Sequence, residues 1–330
     1  MPNVTHYPAY WRRAMDDKPV SSRLNDQLGD LKSKTKQPAS ATILRNWITQ
    51  AEAQLGEDAK GGRLGWLVAS SVAIAAVQRA VDENGRRLFL LKGGTLLQHR
   101  LNATARATKD VDGLIRGDMD AFFAALEEVL DEPWGPLELR RGEVKTINVP
   151  TKITKPRRFN ITIDLKGRSW RSIDFEISPD EAGIGAEQEA IEPPLLSGFG
   201  LPTPDVLVGI TMRFQIAQKL HAVSDPHEPP TFKNDRARDL VDLILLRDLI
   251  TATGTPTLTE VREAGQAIFD SRAKEADILG YPARSWPPTI IAHKHWGNDY
   301  ARAAKPGGIH LPLESAVAEI NNWISAIDNS

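Results

Sequence analysis

The chain has 330 residues, 41% hydrophobic and 25% charged, with 41 Lys and Arg against 43 Asp and Glu for a formal net charge of −2. Such a length can bury one large core or two smaller ones, and the near-neutral balance excludes a surface coated in base, so any nucleic-acid contact has to be local. The absence of cysteine excludes disulfides, thiolate zinc sites and a thiol nucleophile.

From Met1 to Arg13 the chain is polar and aromatic, without the apolar core of a signal peptide. The longest apolar-rich segment, Leu64 to Val77, contains Ser70 and Ser71 and is too short to span a bilayer. The expectation is a cytoplasmic protein with no membrane contact. Ser21 or Ser22 can cap a helix through Arg23, Leu24, Leu28 and Leu31. Pro38 and Ser40 then punctuate, before a second helix from Ile43 to Leu55 with Trp47 on its apolar side. A third helix, Leu64 to Val81, meets its stop at Asn84-Gly85. Residues 1–83 therefore read as an accessory helical region.

The stretch from Leu88 to Ile115 is the densest in chemistry. Leu88 to Leu91 has strand length, Lys92-Gly93-Gly94-Thr95 makes a turn, Leu96 and Leu97 open a helix, and Thr108-Lys109-Asp110-Val111-Asp112 leads into a second apolar run ending at Ile115. Side chains two apart on a strand share a face, so Asp110 and Asp112 project together, while Val111 and Leu114 belong to the core. Two adjacent carboxylates repel unless a divalent cation sits between them. Glycines without Cβ atoms let a ligand approach the backbone, and a helix starting near Thr95 offers free N–H groups to a phosphate. Phosphate-binding amides beside cation-binding carboxylates are what nucleotidyl transfer requires.

Asp118 caps the next helix, through Phe122, Phe123, Leu126, Val129 and Leu130, and Pro133 to Pro136 end it. From Leu137 to Ile177 the pattern is β. It is irregular up to Val149, then alternates well over Phe159–Leu165 and Arg171–Ile177. Ile173, Phe175 and Ile177 face a core, with Asp174 and Glu176 on the opposite side. The same region holds Lys152, Lys155, Arg157, Arg158, Lys166, Arg168 and Arg171 against one acid, Asp164. Such a cluster either neutralises phosphates along an RNA backbone or is a solvated hairpin.

Glu187 to Pro204, rich in Pro and Gly, is a candidate boundary between a sheet domain, 84–200, and a helical domain, 201–330. Thr203, Pro204 and Asp205 start a helix running to Val223 that carries Lys219. After a polar loop, Arg236-Ala237-Arg238-Asp239-Leu240-Val241-Asp242-Leu243 puts Asp239 and Asp242 on one helical face. The rest, through Trp296, Tyr300, Leu313 and Trp323, reads as helical. No P-loop or Gly-x-Gly-x-x-Gly motif is present. His293 and His295 lack an obvious third metal ligand, and His221 and His227 look incidental.

These segments together resemble the nucleotidyltransferases of the DNA polymerase β superfamily, and within it the AbiEii/AbiGii toxin family with its MenT-type members. The likeness rests on Lys-Gly-Gly-Thr, Arg106-x-Thr-Lys-Asp110-x-Asp112, the Lys219-Leu-x-Ala segment and Arg236-x-Arg238-Asp239-Leu, where Arg238 replaces the family's usual Lys. It spans about Leu88 to Leu246. It implies an α+β fold, a mixed polymerase β-type sheet with flanking helices followed by a C-terminal helical lobe, and a site in the cleft between them. Asp110 and Asp112, completed by Asp174 on the neighbouring strand, are implied as ligands of Mg²⁺ or Mn²⁺, and Gly93, Gly94 and Thr95 as holders of the nucleoside triphosphate. Lys219 is implied to pair with a phosphate, and Asp239 to position Lys219 or the acceptor; because lysine is rarely buried for packing, Lys219 is expected to have little part in stability. The resemblance further implies the toxin of a type IV-like toxin–antitoxin system active in abortive infection and phage defence, with a cognate antitoxin and the tRNA 3′ end as acceptor. Lys155, Arg157, Arg158, Lys166 and Arg168 are the candidate RNA contacts. A protein hydroxyl as acceptor, or a catalytically idle nucleotide- or partner-binding module, are the rival readings.

Overall fold

Clean alternation of apolar and polar residues makes β5 (Arg157–Leu165) and β6 (Arg168–Pro179) an antiparallel hairpin whose inner face is Phe159, Ile161, Ile163, Ile173, Phe175 and Ile177. The computed structural model describes residues 24–56, 59–101, 108 and 110–330. The expected cap at Ser21 or Ser22, and Arg106 and Lys109 of the motif, lie outside the described residues. Around the hairpin an eight-stranded mixed sheet forms in the order β3-β5-β6-β2-β1-β8-β7, with β4 (Lys145–Thr146) also on β5. The other strands are β1 (Phe89–Leu91), β2 (Asp110–Ile115), β3 (Leu137–Arg141), β7 (Glu189–Ile191) and β8 (Leu207–Gly209). β2 runs parallel to β6 and antiparallel to β1, and β1 runs parallel to β8.

Three helices back the sheet. α1 (Leu24–Gly29) precedes α2 (Ala41–Leu55), which Ser40 caps by accepting from Ile43 N, and α3 (Arg63–Val77), of which every residue from Leu67 to Val77 is buried. The Ala- and Ser-rich surface of α3 lets its backbone lie close to β5 and β6. These helices thus belong to the sheet's own core, which runs from Leu28 to Ile268. α4 (Gly93–Arg100) follows β1, and α5 (Met119–Leu130) has the expected Asp118 cap, whose Oδ1 accepts from Asp120 N and Ala121 N.

Two boundaries differ from the sequence reading, both for one reason. α3 stops at Val77, four residues before the expected end, because Gln78 turns inward and pairs with both backbone groups of Val208: its Nε2 donates to the carbonyl at 2.6 Å and its Oε1 accepts from the N–H at 3.0 Å. Asn84-Gly85 then serves a tight turn between Val81 and Arg87. The helix expected from Thr203 begins instead at Met212. Leu207, Val208 and Ile210 are buried too completely for one side of a helix, and they enter the sheet as β8 and its continuation. Thr203 caps nothing helical; its Oγ1 accepts from Leu196 N at 2.8 Å.

The remaining helices are α6 (Met212–Val223), α7 (Ala237–Thr253), α8 (Leu258–Leu279), α9 (Gly297–Ala304) and α10 (Leu313–Asp328). They enclose a second core containing Ile216, Leu220, Leu240, Leu243, Trp296 and Ile320. Adjacent residues of α4 serve both cores, Leu96 the first and Leu97 the second. The helix that follows the glycine turn is therefore one joint between sheet and helical lobe, and α6 and α8 likewise pack into both cores. Among the described residues no helix is long and apolar enough to cross a membrane.

Candidate active site

The glycine turn is built against the acidic strand. Gly93 has φ +65°, and a Cβ on it would lie 2.1 Å from Asp112 Oδ2. Both the left-handed backbone and the missing side chain are thus required here. Lys92 N donates to the Asp112 carbonyl at 2.9 Å, Gly94 N donates to the Asp112 carboxylate, and Thr95 Oγ1 donates to the Asp110 carbonyl at 2.8 Å. Thr95, expected beside the phosphates, is fully buried and uses its hydroxyl to hold β2. From the other lobe, Gln215 Nε2 donates to the Gly93 carbonyl at 2.9 Å. Turn, strand and α6 are tied together at one point.

The register of β2 on β6 decides which acids meet. Asp110 stands opposite Asp174, and Asp112 opposite Glu176. The other face of the same strands carries the aromatic core: Phe175 stacks on Phe159 at 5.2 Å and meets Phe89 edge-on at 5.8 Å. A one-residue slip would bury the acids and expose those rings, so the core enforces the acidic face. Asp110 and Asp174 are exposed and Asp112 and Glu176 half-buried. Burial pushes the Asp112 carboxyl above the usual carboxylate range and Glu176 adds to this, while Lys92 and Lys219 oppose it.

Lys92 joins the candidate site, although the sequence reading gave it no role. Its Nζ donates to Ser178 Oγ at 2.6 Å, and burial holds its ammonium below the usual range against the pull of Asp112 and Glu181. A lysine directly before the two glycines was the available signal, since the residue entering such a turn is carried to the carboxylates. Glu176 was legible only as the outward residue two places after Asp174.

Lys219 is not a surface charge. It is 6% exposed, and its Nζ donates to Asp239 Oδ1 at 2.8 Å and Asp242 Oδ2 at 2.6 Å. Asp242 is fully buried, so the i, i+3 pair on α7 grips the lysine from one side. The expectation that Lys219 contributes little to stability is corrected by this burial. Its charge still reaches Asp112.

Among the described residues no group of three or more His, Cys, Asp or Glu side chains is gathered to hold a metal ion. The donor set nevertheless fits a hard cation that takes only one or two carboxylates from protein and completes its shell with phosphate oxygens and water. Asp110 and Asp112 supply that number on one face.

The basic residues are spread along the hairpin. Arg158 bonds Glu176 at 2.9 Å, beside the acidic face, while Arg157 pairs with Asp120 and lies over the Phe123 ring. Lys155 Nζ donates to the carbonyls of Val149 and Lys152, and Lys152 pairs with Glu181 and Glu275. Lys166 and Arg168 are exposed at the hairpin turn, with Arg168 six residues before Asp174 or roughly 20 Å along the strand and Lys166 beyond it. His293 and His295 do gain a third histidine: His227 stacks on His295 at 4.5 Å and lies 4.9 Å from His293. His227 Nδ1, however, accepts from Asn234 N, and the three rings form no metal-holding group.

The acidic strand is thus locked to a glycine turn on a mixed sheet, with a helix-borne lysine within electrostatic reach of Asp112. The chain belongs to the AbiEii family: the family model described as "Nucleotidyl transferase AbiEii toxin, Type IV TA system" matches residues 75–323. Among solved structures the chain is similar to MenT4, a nucleotidyltransferase toxin from Mycobacterium tuberculosis H37Rv, at 15% identity, covering 87% of this chain and 99% of that one with a TM-score of 0.43. No curated protein matches it.

Proposed function

We propose that this AbiEii-family chain is the toxin of a toxin–antitoxin pair and transfers nucleotides from a nucleoside triphosphate to the 3′ end of tRNA, using Mg²⁺ or Mn²⁺. The observation that carries this reading is the register that sets Asp110 and Asp112 beside Asp174 and Glu176, directly against the Gly93 turn. Bound at Asp110 and Asp112, a divalent cation supplies charge stabilisation at the α-phosphate and the departing pyrophosphate. In the transfer, the acceptor hydroxyl oxygen bonds to the α-phosphorus, the bond from that phosphorus to the bridging oxygen breaks, and pyrophosphate leaves with the bonding pair. Asp174 is assigned to accept the hydroxyl proton or to complete the cation's ligands. Gly93 and Gly94 leave room for the triphosphate at the turn. Lys219 supplies a point charge to a phosphate, held in one orientation by Asp239 and Asp242.

Arg158, next to Glu176, is the basic residue best sited to meet the acceptor backbone, and Lys155, Arg157, Lys166 and Arg168 remain candidates for contacts farther along that backbone. Loss of the tRNA 3′ terminus to modification would block aminoacylation and stop growth, until a cognate antitoxin intervenes. Incubation of the full chain with each α-labelled triphosphate, Mg²⁺, total tRNA and total protein tests the acceptor. Label at the tRNA 3′ end is the expected result. Label in protein would instead establish nucleotidylation of a hydroxyl side chain, and no label in either fraction would leave a nucleotide- or partner-binding module.

A further inference from the structure

Glu181 lies two residues past the end of β6 and is held by three elements at once. Arg272 of α8 forks onto it, Nε to Oε2 at 2.9 Å and Nη2 to Oε1 at 2.6 Å. Gln218 of α6, the neighbour of Lys219, donates to Oε1 at 2.8 Å, and Lys152 adds a contact to Oε2 at 3.3 Å. Arg272 continues the line. Its Nη1 is 2.9 Å from His221 Nδ1, which is also 2.7 Å from Arg284 Nη2, and Arg284 pairs with Asp225 just beyond α6. Guanidinium nitrogens only donate, so His221 Nδ1 accepts and the ring is neutral; burial and both arginines push its pKa down to about 2. The result is a row in which neutral His221 of α6 lies between two guanidinium–carboxylate pairs, Glu181–Arg272 and Arg284–Asp225, linking the end of the acid-bearing strand to the helix that carries Lys219.

The carboxylates stand on the sheet and Lys219 on α6, which packs Phe214 and Ala217 into the sheet's core and Ile216 and Leu220 into the helical one. To this packing a bidentate guanidinium–carboxylate pair adds a fixed distance and angle between polar groups. We propose that Glu181 and Arg272 are positioning residues of the transfer reaction: their fork braces α6 against β6 and so sets Lys219 relative to Asp110 and Asp112. The role rests on the function proposed above. Misplacement of a reacting group by about 1 Å costs on the order of 10²-fold in rate, and that is the scale expected when the fork is lost.

The test uses the full chain and three variants, Arg272→Lys, Glu181→Gln and Gln218→Met, each assayed well below its melting temperature with kcat expressed per folded molecule. Arg272→Lys keeps the charge but not the fork, and kcat should fall roughly 10- to 100-fold, with the triphosphate KM changed by less than about threefold. Glu181→Gln should behave alike. Gln218→Met buries no charge, is expected to fold in every case, and should lower kcat by about three- to tenfold. Hydrogen exchange should show faster exchange in Met212–Val223 with the strands unchanged. If the wild type transfers nucleotide while the folded variants keep kcat within about twofold, the brace is overturned and the reaction stands. Absence of transfer by the wild type overturns the reaction itself, and the role of the brace with it.

Discussion

Two sets of carboxylates lie within reach of Lys219 and the fold treats them in opposite ways. On β2 and β6, Asp110 and Asp174 are exposed, and half-buried Asp112, its carboxyl pushed above the usual range by burial, has its lysines on neighbouring elements. On α7, Asp239 and Asp242 are buried and both close on a single lysine. The first set is an open face with anionic charge to spare, suited to an incoming cation. The second is a closed cage whose product is the fixed position of a cation it already holds. Like residues around one lysine thus do different work, and burial together with the nearest opposite charge separates them.

The sharpest break in this comparison is expected on the open face. Asp110→Asn or Asp112→Asn should lower nucleotide transfer by about 10²- to 10³-fold or more, the scale of removing one positioned electrostatic group, with melting temperature unchanged or raised because a repelling charge is gone. A loss of fold in either variant would place these residues in the second set. In the closed cage the order reverses. Lys219→Met should cost about 3–5 kcal/mol in denaturant unfolding, because it strands Asp242 in the core, and adding Asp242→Asn should restore part of that. Unchanged stability of Lys219→Met would contradict the cage.

Gly93→Ala probes the junction. The left-handed backbone costs a residue with a side chain roughly 1–2 kcal/mol, and the new methyl meets Asp112. Transfer should fall about 10²-fold through displacement of that carboxylate, measured on protein that is still folded. A smaller effect comes from buried histidines. His99 is held neutral by burial, with its pKa pushed down to about 4. The unfolded chain therefore takes up the proton first, and stability is lost as pH falls from about 6.5 towards 4, by up to about 1.4 kcal/mol per pH unit for this group. His99→Gln should flatten that slope in urea unfolding at pH 4.5–7, and an unaltered slope would contradict it. The smallest effect belongs to Arg158→Glu, expected to raise the KM for tRNA severalfold and reduce its salt dependence by about one unit of slope, leaving the triphosphate KM alone.

The acidic face was readable because it depends on local facts. Asp-x-Asp on a strand, glycines before it and an alternating strand with Asp174 each show themselves within a few residues. What brings them together, the parallel pairing of β2 with β6, is a long-range contact that the family resemblance implied and spacing alone does not encode. β8 went unread because Leu207-Val208-Gly209 is too short to show a period and stands behind helix-starting residues. Gln78 carried no signal either, since its partner Val208 is 130 residues away. Lys219 was found by motif but misread in burial: the cage forms only when α7 folds back on α6. Arg272 and Glu181 lie outside every motif, and each is an ordinary charged residue until the lobes meet.

Whether the open face is a cation-dependent transfer centre is tested most directly by one titration. Transfer from an α-labelled triphosphate to tRNA is measured against Mg²⁺ concentration for the wild type and Asp112→Asn, after removal of bound metal with chelator. The account predicts no transfer by the wild type without metal, saturable recovery as Mg²⁺ is added, and no recovery in Asp112→Asn at any concentration. Transfer by the chelated wild type, or equal Mg²⁺ dependence in Asp112→Asn, would contradict it.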